Sequence, residues 1–167
     1  MKQIAKFFAL AIVMIAFSVS TFAQGVSATA NASATIITPL TITKTADMNF
    51  GNIAVGIIGG TVVLTPAGAR SATGDVSFQS IPAGAAAAFN VTGSAGLTYS
   101  ITLPTLPVPI TSGGNTMNLT LFTSNPASPG TLVGGPNPLT VGATLTVGAS
   151  QAVGAYTGSF SVTVAYN

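Results

Sequence analysis

The residues able to do chemistry are few. The 167-residue chain has four Lys or Arg, two acidic residues, and no His, Cys, Trp or Glu. General acid–base catalysis needs a side chain that titrates usefully, most often His, Glu, Asp or Lys. Beyond residue 23 the material is Asp47, Asp75 and Lys44. A glycosidase pair would have to be the two Asp residues, and nothing in the sequence places them together. Thr occurs 24 times and Ser is also plentiful, but a hydroxyl nucleophile needs an adjacent base, which leaves only a Ser–Lys arrangement with Lys44. Lys44 and Asp47 read more simply as local surface partners near a turn. Arg70 and Asp75 flank Ser71-Ala72-Thr73-Gly74 as charges across a hairpin turn would. The Gly-rich stretch Gly56–Gly60 lacks the Lys and the helix of a phosphate loop. Zinc or iron sites built on Cys or His are excluded, and no metal or other cofactor is expected. Four scattered cations cannot form the basic stripe that nucleic acid requires. Asn31-Ala32-Ser33, Asn90-Val91-Thr92 and Asn118-Leu119-Thr120 match glycosylation sequons, a weak signal in a Thr-rich chain. These residues predict no enzyme.

The first 23 residues read as a secretory leader. Lys2 and Lys6 precede an apolar run, Phe7 to Val19, that only Ser18 interrupts. Thr21 and Ala23 then supply small residues at the −3 and −1 positions of a cut after Ala23. The run is shorter than the ~20 apolar residues that span a bilayer, and no membrane span is expected in the mature chain. No Cys follows the cut, so no lipid anchor is expected there. Removing 23 of the 167 residues leaves 144, with Lys44 and Arg70 balanced by Asp47 and Asp75. The basic character therefore belongs to the leader, and the exported domain is neutral. Exported domains often rely on disulfides; this one must fold on its hydrophobic core alone.

The remainder reads as strands. Apolar and polar residues alternate in short runs, the pattern of half-buried strands. Examples are Val62 and Leu64, Val76 and Phe78, Phe89 and Val91, and Tyr99, Ile101 and Leu103. Met117, Leu119 and Leu121 share one parity, with Phe122 off it. Leu139, Val141, Ala143, Leu145, Val147 and Ala149 hold a single parity and predict one long strand. Turn signals fall at Gly59-Gly60, Thr73-Gly74-Asp75, Gly93–Gly96, Gly113-Gly114-Asn115 and Gly134–Pro138. Pro104, Pro107 and Pro109 mark an edge or a crossover. Ala83–Ala88 could form one helical turn at most. About eight to ten short strands at this spacing predict a β-sandwich. A membrane barrel would need strands of about 10 residues and aromatic girdles, for which five Phe and three Tyr beyond residue 23 are too few.

The cleanest alternation lies at the two ends. Val26, Ala28, Ala30, Ala32, Ala34 and Ile36 share one parity directly after the predicted cut. Phe160, Val162, Val164 and Tyr166 share another at the C-terminus. Exposed sheet edges are normally guarded by charge, Pro or bulges, and this chain has little charge to guard with. An extended arm can instead complete a neighbour's sheet through main-chain hydrogen bonds, with alternate side chains entering pockets.

On these residues the chain resembles pilus subunits of the chaperone–usher type. Tyr166 is penultimate, Gly154 is the fourteenth residue counting back from Asn167, and Phe160, Val162 and Val164 alternate between them. Ala34-Thr35-Ile36-Ile37-Thr38-Pro39 is similar to the end of the donor arm in the Cys-free, alpha-type branch. More broadly, Asn49-Phe50-Gly51, Phe89–Gly93, Tyr99–Pro104 and Tyr156–Tyr166 resemble an uncharacterised family of Gram-negative exported β-domains. The resemblance implies an immunoglobulin-like sandwich over 39–167, preceded by the leader 1–23 and an N-terminal extension 24–38 that acts as donor strand. It implies a structural, major-pilin-like subunit of a cell-surface filament, reached through the periplasm. Its partners would be copies of itself head to tail, a periplasmic chaperone that grips the C-terminal strand, and an outer-membrane usher. The alternative is a closed, secreted sandwich that binds a glycan or a surface protein.

Overall fold

The computed structural model describes residues 25–167, in two units that divide between Thr35 and Ile36. The predicted leader lies outside the described residues. Residues 25–40 form no strand, and the side chains of the alternating stretch are exposed, Val26 fully and Ile36 at 97%. The stretch 27–36, expected as a strand, is therefore one only by its side-chain pattern, because a strand exists where a neighbour completes its hydrogen bonds.

The second unit is all-β, and no helix occurs among the described residues. Its strands are β1 (Thr41–Ala46), β2 (Ile53–Leu64), β3 (Arg70–Phe78), β4 (Ala87–Thr92), β5 (Thr98–Thr102), β6 (Val108–Ser112), β7 (Asn115–Asn125), β8 (Gly130–Thr131), β9 (Asn137–Val147) and β10 (Thr163–Tyr166). They form two open sheets of a β-sandwich, one of seven strands and one of three in the order β10-β5-β8. All pairings are antiparallel.

The long alternating run becomes β9, the centre of the large sheet. It pairs with β7 along one edge; along the other it meets β4 in its first half and β2 in its second. Leu139, Val141, Ala143, Leu145 and Val147 are all buried on one face. The turn before β9 is pinned by buried Asn137, whose Nδ2 donates to the Val91 and Gly135 carbonyls and whose Oδ1 accepts from the Val133 amide. β6 carries Pro109 and, of the named strands, pairs with β7 alone, as suits a Pro-containing edge strand.

Three expectations are corrected. Gly59-Gly60 and Thr73-Gly74-Asp75 are not turns but lie inside β2 and β3, where Val55 pairs with Val76 and Gly60 with Gly74. The four residues between Val55 and Gly60 face Asp75 alone, so β2 bulges. Gly59 and Gly74, at φ 80° and 72°, supply the left-handed backbone there. Arg70 and Asp75 consequently share one strand, and the chain reverses at Thr65–Ala69 instead. The third correction is in β7. A register break between Thr120 and Thr123 inverts the alternation: Leu121 turns out to 77% exposure at φ 48°, and Phe122 turns in.

The core has two clusters. Val91, Tyr99, Ile101, Leu132 and Leu139 lie between the two sheets, joined by Leu40, Ile42, Val162, Val164 and Tyr166. The other cluster holds Phe50, Val62, Leu64, Leu119, Leu145 and Val147, and no member comes from the three-stranded sheet. Half of the large sheet's inner face thus has no strand of the small sheet packed on it.

Tyr99 is fully buried, and its hydroxyl has no hydrogen-bond partner. Leaving such a group unpaired costs about 1–3 kcal/mol. Tyr99→Phe is expected to raise stability by about 1 kcal/mol in urea unfolding at pH 7; a loss would show that the hydroxyl is paired in solution. Burial pushes the Tyr99 phenol above its ordinary value of 10.0. Its titration leaves stability unchanged below that pH and lowers it above, because the unfolded chain then ionises first. In Tyr99→Phe this part of the alkaline loss should vanish.

Candidate functional site

The half of the large sheet without a facing strand carries an open cavity of about 1080 Å³. Its floor is the inner face of β7 and β9, through Leu119, Leu145 and Val147. Half-buried Met48, Ile53, Val55, Phe89, Ile110 and Met117 line the walls. Residues 44–55, from the end of β1 into β2, form one rim, and Gln151–Phe160 form the other. The result is an elongated groove with an apolar floor between two lengths of chain.

The C-terminal rim is a strand by side chains but only partly by pairing. Tyr156, Phe160, Val162, Val164 and Tyr166 are half-buried, while Thr157, Ser159, Ser161, Thr163 and Ala165 between them are exposed. Yet only Thr163–Tyr166 pairs with β5, and only Thr157 bridges to β6, through Thr111 at 2.9 and 3.0 Å. Residues 158–162 pair with neither sheet. The expected strand from Phe160 is thus shortened to β10, because β5 ends at Thr102 and offers nothing further to pair with. Gly158 allows the rim to lie against β6: a Cβ there would collide with the Pro109 carbonyl and Ile110.

Each rim is tied down. Gln151 accepts from the Gly148 amide and donates to the Tyr156 hydroxyl at 2.8 Å, which itself donates to the Ala152 carbonyl at 2.8 Å. On the other side, Arg70 donates to the Phe50 carbonyl at 2.7 Å and to the Gln79 carbonyl at 2.8 Å, and stacks 4.4 Å from the centre of the Phe78 ring. Its charge is spent on holding backbone. The other charges at the groove are Lys44 and Asp47, paired with each other and exposed. The groove therefore offers a ligand mainly apolar side chains and neutral polar residues such as Asn49, Asn52 and Ser159.

Of the predicted C-terminal residues, Gly154 and Phe160 line the groove, with the Phe160 ring tilted against that of Phe122, centroids 5.0 Å apart. Val162, Val164 and Tyr166 lie in the other cluster, between the sheets. Val26, Ala28, Ala30, Ala32 and Ala34 fall in the first unit, and Ile36 opens the second. Ile36–Pro39 lead into the Thr41 end of β1, whereas the groove rim follows its Ala46 end. Sequence reading did not find the groove. Phe50, Met117, Gln151 and Tyr156 come from separate stretches, and only Phe50 and Tyr156 fell in segments that carried the resemblance.

Among the described residues, no group of three or more Asp, Glu, His or Cys could hold a metal ion, and no helix is long and apolar enough to cross a membrane. Residues 40–166 match a family described as a domain of unknown function, DUF4402. No curated protein and no solved structure matches the chain.

Proposed function

The chain belongs to the DUF4402 family over residues 40–166, and from that domain's open groove we propose that it is a structural subunit of a cell-surface filament joined by strand donation. The groove carries the reading. It is bounded on one side by Gln151–Phe160, of which Gly158–Phe160 pair with neither sheet, and floored by apolar side chains. An incoming strand would find both things that strand addition uses: main-chain partners along its length and pockets for alternate side chains. The alternating stretch Val26–Ile36 has that form, with Val26 and Ile36 as its larger apolar groups. The arm enters the domain at the opposite end of β1 from the groove, so joining one subunit's arm to the next subunit's groove is head to tail and builds an open filament.

In this reading the leader directs export to the periplasm. There a chaperone occupies the groove edge at the C-terminal strand, and an outer-membrane usher exchanges it for the next arm. The closed sandwich with a glycan site has less support, because Phe122, its one candidate aromatic, packs against Phe160. The test is removal of residues 24–35. Negative-stain microscopy should show filaments from the full mature chain and none from the shortened one. Filaments from the shortened chain would exclude the arm as the link.

A further inference from the structure

The Tyr166 hydroxyl sits in a closed ring of three hydrogen bonds. It donates to the Thr38 carbonyl at 2.7 Å and accepts from the Ser94 amide at 2.8 Å, while Ser94 Oγ accepts from the Thr38 amide at 2.8 Å. Both main-chain polar groups of Thr38 are thereby held, and the two residues that hold them lie 56 and 128 positions away in sequence. Gly93 makes room for the ring: a Cβ there would collide with the hydroxyl and with Leu132 and Leu40. Pro39 follows, fixing its own φ and biasing Thr38 towards an extended backbone. Immediately before, Ile36 is 97% and Ile37 46% exposed. Thr38, near the start of the domain, is thus held through both of its main-chain polar groups.

We infer that the Tyr166 hydroxyl is a positioning group that sets the direction in which the N-terminal arm leaves the domain. The inference rests on strand donation for its purpose, though not for its geometry. A fixed exit restricts the volume that the arm searches. Such restriction lowers the ordering cost of docking the arm in a neighbour's groove. The ring of Tyr166 packs between the sheets with Val164 and Leu40, so the ring and its hydroxyl can be separated by mutation.

Tyr166→Phe in the full mature chain keeps the packing and removes two of the three bonds. The Ser94 amide, which loses its acceptor, should exchange roughly tenfold faster, as expected for loss of about one hydrogen bond, while the Thr38 amide keeps its bond to Ser94 Oγ. The chain has no Cys, so spin labels at Ile36→Cys and Thr105→Cys report one distance, whose distribution should broaden in Tyr166→Phe. Filament growth should slow with it. Ser94→Ala removes the acceptor of the Thr38 amide instead, so that amide should exchange faster while the amide at position 94 keeps its bond to Tyr166, and the distance distribution and filament growth should fall between Tyr166→Phe and the parent. Unchanged exchange and an unchanged distance distribution would overturn the inference. So would a broadened distribution with unchanged growth. A parent chain that forms no filaments would overturn strand donation and, with it, the arm-aiming purpose, while the exchange result would still judge the hydrogen-bond ring itself.

Discussion

A peptide spanning residues 25–37, added to the mature chain lacking residues 24–35, should raise its unfolding temperature by about 10 °C at a concentration 100-fold above its dissociation constant. Binding to the folded state alone stabilises by about 2.7 kcal/mol at that ratio, and the shift should grow with the logarithm of peptide concentration. Side-chain parity decides which peptide variants bind. Ala30 shares parity with Val26 and Ile36 and would face the floor. The groove's charges are the mutually paired Lys44 and Asp47, so a carboxylate among Leu119, Leu145 and Val147 meets no partner. Burying an unpaired charge costs several kcal/mol. Ala30→Asp should therefore abolish the shift, and Asn31→Asp, on the outward parity, should preserve it. Equal behaviour of the two peptides in a thermal-shift titration would contradict docking as a strand.

Leu145→Ala and Leu139→Ala should each lose about 2–5 kcal/mol of stability, the range for truncating a buried Leu. Leu145 is 1% exposed and Leu139 fully buried, both on β9. They should differ in what else they lose. Leu145 belongs to the cluster that floors the groove, whereas Leu139 lies between the two sheets. Peptide affinity should fall in Leu145→Ala and remain at the parent value in Leu139→Ala, once each is compared below its own unfolding transition. Urea unfolding paired with peptide titration separates the effects. A loss of affinity in Leu139→Ala equal to that in Leu145→Ala would place the peptide elsewhere on the domain.

Much of the architecture was legible from residue order because alternation is a local property. Successive side chains on an extended backbone point to opposite faces, so the parity of Leu139–Val147 announced a half-buried strand before any partner was known. The same rule marked Phe160, Val162, Val164 and Tyr166 at the C-terminus, and all four are half-buried although Phe160 and Val162 lie where the backbone pairs with neither sheet. Pro104, Pro107 and Pro109 announced an edge or a crossover, because Pro lacks the donor that a central ladder needs, and β6 with Pro109 is an edge strand. The Gly-rich signals were less informative. Gly supplies left-handed backbone equally to a turn and to a bulge, so Gly113-Gly114 became a hairpin turn while Gly59-Gly60 and Gly74 became a bulge within paired strands. The inversion at Leu121 and Phe122 was visible only as an off-parity Phe, without its cause.

The scarcity of charge, which removed most catalytic and nucleic-acid readings at the outset, also has a place in the folded domain. Of the four charged residues beyond residue 23, Lys44 and Asp47 pair at a groove rim and Arg70 braces the loop behind it. Asp75 faces the bulge in β2. Composition and parity established a charge-poor, β-rich chain whose two ends carry the strand pattern, because both are read along the chain without knowledge of its partners. The groove, the split core and the Tyr166–Ser94–Thr38 ring were decided by tertiary structure. Each joins residues tens of positions apart, and which strands lie side by side is set by packing across the whole sheet rather than by any local run of residues.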